Sequence, residues 1–488
     1  MVIESLKYKI LQQFGFAPTQ EQGQALDTFV SFLTDRDPQA VMILRGSAGT
    51  GKTSLSGAIV RTLLQIRQKV MLLAPTGRAA KVFSLGSGAP AYTIHRRIYR
   101  EKAFAGVDGQ FSLNDNLYTD TLFMVDEASM IANMGLGGTT FGSGCLLDDL
   151  VKFVYQGNND RLLLIGDKAQ LPPVGEEESP ALSASVMEGY GLKVYECDLN
   201  EVLRQSQSSG ILYNATLIRQ MITHDAVTGL PLIRFKGFAD IVMMPGAELV
   251  ESLGDSYHHV GMDETMVITR SNKRANIYNN GIRNMVLDRE EELSSGDMLM
   301  IVKNNYFWTE KEKKESGEGS AGAVPAFLAN GDRAKVLRVS NYIELYGFRF
   351  ATLLLQLPDY DDYEMQVTGM LDTLQSEAPA LTHEQQEELF RQVEEDYQHF
   401  VPLKADRMKS IRQDAYFNAL KIKYAYAVPC HKAQGGQWAH VYVDQGYMTD
   451  DMLTPDYIHW LYTAFTRATD KLFLVNWPKE QTCEPTDL

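Results

Sequence analysis

The stretch Gly46-Ser47-Ala48-Gly49-Thr50-Gly51-Lys52-Thr53 has the spacing G-x-x-x-x-G-K-[ST]. In this pattern glycines let consecutive backbone N–H groups curl around a phosphate, a lysine reaches the terminal phosphate oxygens, and a hydroxyl holds Mg²⁺. ATP binding is therefore expected at Gly46 through Thr53, with Thr53 as one metal ligand and Lys52 as a catalytic charge. A second constellation, FMVDEAS, ends an apolar run in two adjacent carboxylates that can divide the work. Asp126 would hold the metal, and Glu127 would orient or deprotonate the attacking water. A third, IGDKAQLPPVG, places a neutral amide, Gln170, where it can sense the γ-phosphate without adding charge.

These groups need elements to carry them. The run AVMIL from Ala40 is of strand type and leads straight into the glycine loop, after which Leu55, Ile59, Leu63 and Ile66 recur at helical spacing. Further apolar runs at VMLLA (70–74), TLFMV (121–125) and RLLLI (161–165) predict a parallel sheet covered on both faces, within an α/β domain over about residues 20–205. The same grammar returns in TMVIT (265–269), KYAYAV (423–428), HVYV (440–443) and KLFLV (471–475), the last preceded by a helix with Tyr457, Leu461 and Phe465 on one face. Between these lies a β-rich insertion at 333–420, with a Glu/Gln-rich helical stretch from His383 to Phe400. The run EKEKKESGEGSAG (310–322) reads as a mobile loop, and the Asp-Gly pair in FAGVDGQF (104–111) as a hairpin turn.

With 488 residues, and roughly 150 per domain, about three domains are expected. No run of 18 apolar residues occurs, and the amino end lacks a secretory pattern, so a cytoplasmic chain without membrane attachment is expected. Cys145, Cys197, Cys430 and Cys483 are widely spaced, which argues against a zinc site or a disulfide framework. The net charge of −16 disfavours indiscriminate binding to nucleic acid, so a polyanion would need a local basic channel or a protein that loads it.

In chain order, PTQEQGQAL (18–26), GSAGTGKT, LLAPTGRAA (72–80), TIHRR (93–97), VDEAS, GDKAQLPPVG, LNEVLRQ (199–205), CHKAQGGQW (430–438) and LYTAFTRAT (461–469) resemble the motifs of superfamily 1 helicases. The likeness is to the 5′-to-3′ class, superfamily 1B, similar to the RecD and Dda helicases, and covers nearly the whole chain. It implies an α/β fold: two RecA-like P-loop NTPase domains with parallel sheets and small β-rich insertions, a pin or wedge hairpin and a Src-homology-type barrel. The implied boundaries are 1–97 with 118–205 for the first RecA-like domain, 98–117 for the wedge, 206–332 with 421–488 for the second, and 333–420 for the barrel with its helical segment.

The same resemblance implies roles for residues. Gln22 would read adenine, and Arg204 and Arg467 would be arginine fingers. Pro75, Thr76, His95, His431, Lys432 and Gln434 would line the path of a DNA strand, and Phe104 and Phe111 would belong to the strand-separating pin. Implied too are Mg²⁺ and ATP as cofactors, single-stranded and tailed duplex DNA as partners, with a loading or single-strand-binding protein, and 5′-to-3′ translocation with unwinding in repair, recombination or replication. Ala433 departs from the family pattern, which usually has Ser there, and removes a hydroxyl contact to the strand. Two alternatives stay open: an RNA or RNA–DNA helicase of the same superfamily, because phosphate contacts do not exclude a 2′-hydroxyl, and a nucleotide-switched DNA-binding scaffold that does not unwind. The complete hydrolytic set, Glu127, Gln170, Arg204 and Arg467, counts against the scaffold.

Overall fold

A computed structural model of the chain describes residues 2–101, 111–135, 142–201, 208–223, 229–316, 324–325, 327–378, 380–449 and 452–483. It divides into two compact units, one of residues 1–244 with 433–488 and one of residues 245–432. Arg204 and Phe104, and with them one expected arginine finger and the expected pin tip, lie outside the described residues.

The first unit is built on six parallel strands: β1 (Ala40–Gly46), β2 (Lys69–Ala74), β3 (Ala91–Thr93) and, after a hairpin of β4 (Tyr99–Glu101) and β5 (Phe111–Leu113), β6 (Thr121–Val125), β7 (Arg161–Gly166) and β8 (Lys193–Leu199). Their order in the sheet is β3-β2-β6-β7-β1-β8. Every residue of β1 is buried, because alternate side chains serve opposite faces. Met42 and Leu44 enter one core with Leu26, Phe29, Leu55 and Ile59, whereas Val41 and Ile43 enter the other with Phe123, Leu150 and Leu164. The hairpin pairs Glu101 with Phe111, and Phe111 packs half-buried against the second of these cores. It stands in the ladder pair farthest from Tyr99–Leu113, next to the segment outside the described residues, and its place in a pin stays an expectation. A ninth strand, β9 (Ile241–Met244), also belongs to this unit.

The second unit carries β10 (Thr265–Thr269) and a closed five-stranded barrel of β11 (Met298–Ile301), β12 (Arg333–Leu345), β13 (Phe348–Leu357), β14 (Tyr363–Met370) and β15 (Leu420–Tyr424), followed by β16 (Ala427–Pro429), which pairs in parallel with β10. The run KYAYAV is thus two strands rather than one. Asn279 ends the barrel ladder by accepting from the backbone N–H groups of Tyr426 (3.1 Å) and Ala427 (2.8 Å). The Glu/Gln-rich stretch is the helix His383–Gln398, opened by a capping box of Thr382 and Gln385. EKEKKES, expected as loop, instead continues the helix Phe307–Ser316. Its Lys and Glu are good helix formers, Lys311 and Glu315 lie one turn apart, and the indole of Trp308 anchors it to the Asn418 carbonyl at 3.0 Å.

Returning to the first unit, the chain adds β17 (Trp438–Asp444), the helix Pro455–Phe465 and β18 (Ala468–Val475), with β18 parallel to both β17 and β9. No helix among the described residues is long and apolar enough to cross a membrane.

Candidate nucleotide site and strand-binding residues

β1 ends at Gly46, and the helix Lys52–Gln65 begins six residues later, so the glycine loop hangs between a buried strand and a helix N-terminus. Gly49 (φ +76°) and Gly51 (φ +81°) adopt the left-handed backbone that lets the loop fold back on itself. At Gly46 a Cβ would stand 2.9 Å from the Lys52 side chain. Lys52 Nζ donates to the carbonyls of Gly46 (2.5 Å) and Ser47 (2.9 Å), which keeps the ammonium over the mouth of the loop. The amides of the first helical turn have no partner within the helix and are available to an anion.

Ser47, Lys52, Thr53, Asp126, Glu127, Gln170 and Arg467 all line one cleft of the first unit. Asp126 follows β6, and Glu127 has a left-handed backbone (φ +52°), unusual for a residue with a side chain and typical of strained functional positions. Burial and the neighbouring Glu127 carboxylate push Asp126 upward, so the pair calls for a cation. A Thr53 hydroxyl and a carboxylate are the hard oxygen donors that suit Mg²⁺, so the residues present fit the expected ion.

Gln170 joins the cleft's two ends. With its amide oriented by the hydrogen-bond network, it donates to Glu127 Oε2 (3.3 Å) and accepts from Arg467 Nη2 (3.1 Å). Arg467 is 2% exposed and is held further by the carbonyls of Thr463 (Nε, 3.1 Å) and Gly436 (Nη1, 3.1 Å). The helix Pro455–Phe465 that leads into it is docked on the loop after β7: Thr463 Oγ1 accepts from Leu171 N–H (2.8 Å), and the His459 ring nitrogen contacts the Ala169 carbonyl (2.9 Å).

Sequence reasoning missed three residues of this cluster. Tyr462 donates its hydroxyl to Asp167 Oδ2 (2.6 Å) while accepting from the Ala48 N–H (2.9 Å) of the glycine loop. Burial and the Asp167 carboxylate push that phenol far upward, so it remains a donor. Asp167 braces its own loop by accepting from Ala169 N–H at 3.0 Å. Arg219, on the helix Gly210–Thr223, donates to the Ser47 hydroxyl and to Asn200 Oδ1 (3.0 Å). Tyr462 sits within a quoted motif, but as part of an apolar helix face; Arg219 carries no local signal. Gln22, the expected adenine reader, reaches the loop with both ends of its amide engaged, donating to the Thr50 carbonyl (2.9 Å) and accepting from Thr19 N–H (3.0 Å).

The expected strand-binding residues fall in both units. In the first, Pro75 and Thr76 follow β2, and Thr76 caps the helix Gly77–Ser87 by accepting from Ala79 N–H (3.2 Å). Gly435 comes so close that a Cβ there would lie 3.0 Å from Thr76 Oγ1 and from Ala79 Cβ. Gln434 Nε2 donates to the Leu171 carbonyl (2.7 Å), so this amide ties its segment to the loop holding Gln170. His95 is half-buried, stacks obliquely on Tyr99 at 5.7 Å, and is pushed down to about 4 by burial. In the second unit, His431 is exposed and Lys432 half-buried, with Lys432 Nζ donating to Asn330 Oδ1 (2.7 Å).

Comparison with known proteins finds likenesses over parts of the chain. Residues 17–229 match the model of an AAA domain, and residues 424–475 that of a UvrD-like helicase C-terminal domain. The chain is 30% identical over 157 residues to the ATP-dependent RecD2 DNA helicase of Deinococcus radiodurans, covering 32% of this chain and 18% of that protein. It is 26% identical over 275 residues to the ATP-dependent DNA helicase dda of Enterobacteria phage T4, covering 53% and 55%. It therefore spans about half or less of these two relatives. The crystal structure of the Pif1 helicase from Bacteroides, in complex with ADP-AlF3 and ssDNA, overlays 96% of this chain and 95% of that one with a TM-score of 0.47 at 13% identity.

Proposed function

From these likenesses we propose that the chain is a superfamily 1B helicase, similar to RecD and Dda, which hydrolyses ATP to move 5′-to-3′ along single-stranded DNA and unwind duplex, in repair, recombination or replication. The observation that carries the reading is the chain of contacts Glu127–Gln170–Arg467 beside the glycine loop. A group that only stores nucleotide needs the loop. A group that hydrolyses it also needs a positioned carboxylate, a positioned cation, and a link that makes the two respond together.

Each residue then has a task. The loop amides and Lys52 hold the phosphates; Thr53 and Asp126 would hold Mg²⁺, which on binding neutralises developing charge. Glu127 orients water, and Arg467 offers its guanidinium to the transition state, a contribution worth about 10³–10⁵ in rate among related NTPases. Arg204 is assigned the same role by its motif. Tyr462 and Thr463 connect the helix that leads into Arg467 to Ala48, Asp167 and Leu171, so a change at the phosphates is felt there. Pro75, Thr76, His95, His431, Lys432 and Gln434 are assigned to the DNA strand.

The test is ATP hydrolysis with Mg²⁺, measured without nucleic acid, with single-stranded DNA and with RNA of the same sequence, against Lys52→Ala. Stimulation by DNA, abolished in the variant, is the expected result. Equal stimulation by RNA would transfer the proposal to RNA, and hydrolysis that ignores both polymers would remove the track.

A further inference from the structure

On β15 of the barrel, the side chains of Leu420, Ile422 and Tyr424 alternate with those of Lys421 and Lys423, so the two ammonium groups share one face. Both residues are deeply buried, with relative exposures of 7% and 8%. Among the described residues, Lys421 Nζ has no hydrogen-bond partner, and Lys423 Nζ donates only to a carbonyl, that of Ser376. Lys423 shares a recess with Lys432, His431, Asn272 and Asn276, the two asparagines standing on the first turns of the helix Asn272–Gly281. Among the described residues, Lys421, Lys423 and Lys432 make no ion pair with a carboxylate.

In a chain of net charge −16, three cations thus stand together with no carboxylate among the described residues to answer them. Burial disfavours the charged ammonium, and like charges compound it: Lys421, facing Lys303, is pushed down to about 7, and Lys423, facing Lys432, to about 8. Buried polar groups with no partner cost stability, and persist where another purpose needs them. An anion in the recess would offset that cost with charge-assisted hydrogen bonds.

We propose that Lys423 and Lys432 form a phosphodiester seat for the tracked strand, with Lys421 behind them adding to its positive potential, so that the barrel strand β15 itself takes part in gripping DNA. The inference rests on the proposed function and extends it to residues outside the helicase motifs. The strand is favoured over a free phosphate because exposed His431 opens the recess to the surface at the motif assigned to DNA.

Fluorescence anisotropy of a labelled oligothymidylate, titrated with wild type, Lys423→Gln and Lys421→Met between about 50 and 300 mM salt, tests this directly. Lys423→Gln is expected to weaken binding about tenfold and to reduce the logarithmic salt slope by about 0.7, one phosphate contact on a single strand. Lys421→Met should weaken binding less, yet melt at a higher temperature than wild type, because it removes an unpaired buried charge. Wild-type affinity and slope in both variants would overturn the seat, as would a lowered melting temperature of Lys421→Met with unchanged affinity, the mark of a structural lysine. Inorganic phosphate at constant ionic strength should not compete; competition confined to wild type would give the recess to free phosphate and overturn the strand assignment. Failure of wild type itself to bind would overturn the tracking motor and the seat together.

Discussion

Replacing Gln170 by Ala removes the side chain that bridges Glu127 and Arg467. Its amide is 6% exposed and spans the two at 3.3 and 3.1 Å. Hydrogen bonds to charged partners contribute about 1.5–3 kcal/mol each, and the length of these two places them near the lower end, about 3 kcal/mol together. The loss divides unequally. Arg467 keeps the carbonyls of Thr463 and Gly436 and the Thr466 hydroxyl, so its guanidinium stays in place. Glu127 loses its orienting donor. If the contacts matter chiefly as the transition state forms, about 3 kcal/mol corresponds to a kcat about 10²-fold lower. Gln170 makes no hydrogen bond to the glycine loop, so the KM for ATP should change less than about threefold. Steady-state ATP hydrolysis at saturating single-stranded DNA separates the two effects. Gln170→Glu, which keeps the acceptor toward Arg467 but sets a third carboxylate beside Asp126 and Glu127, should lose at least as much. A kcat for Gln170→Ala within about threefold of wild type, or a loss lying wholly in KM, would refute the coupling of Glu127 to Arg467.

Three further outcomes are expected. Tyr462→Phe removes a 2.6 Å bond to the buried Asp167 carboxylate and should lower the urea midpoint by the equivalent of about 1.5–3 kcal/mol with an unchanged slope, its effect largely absent in an Asp167→Asn background. Gly435→Ala demands a left-handed backbone (φ +73°) and a Cβ 3.0 Å from Thr76, so stability should fall by about 1–2 kcal/mol, with DNA-stimulated hydrolysis falling more than basal hydrolysis. Because burial holds His95 neutral, down to about 4 against an ordinary 6.5, the unfolded chain binds the extra proton. Stability should therefore be fully present above about pH 6.5 and fall by about 3 kcal/mol as pH drops toward 4, and His95→Asn should flatten that part of a melting-temperature profile.

Local pattern and distant partnership differ in how far they could be read from sequence. The glycine loop, FMVDEAS and the strands around them were legible because they combine fixed spacing with continuous apolar runs, and β1, β6 and β7 lie where those runs predict. Phe307–Ser316 was misread because low hydropathy suggests loop, while helix propensity and an anchoring tryptophan decide otherwise. KYAYAV was read as one strand because nothing in those residues announces Asn279, almost 150 positions away, taking the backbone donors that would extend the ladder. Tyr462, Asp167 and Arg219 escaped for the same reason: their partners are polar atoms brought together only by the fold, and periodicity carries no trace of them.

A directional motor separates strands from one kind of tail and not the other. Two partial duplexes, one with a 5′ and one with a 3′ single-stranded tail, are incubated with ATP, Mg²⁺ and either wild type or Lys52→Ala. Opening of the 5′-tailed duplex alone, and none by Lys52→Ala, is the predicted result. Opening of only the 3′-tailed duplex would contradict the direction, and opening of neither while DNA-stimulated hydrolysis continues would contradict unwinding.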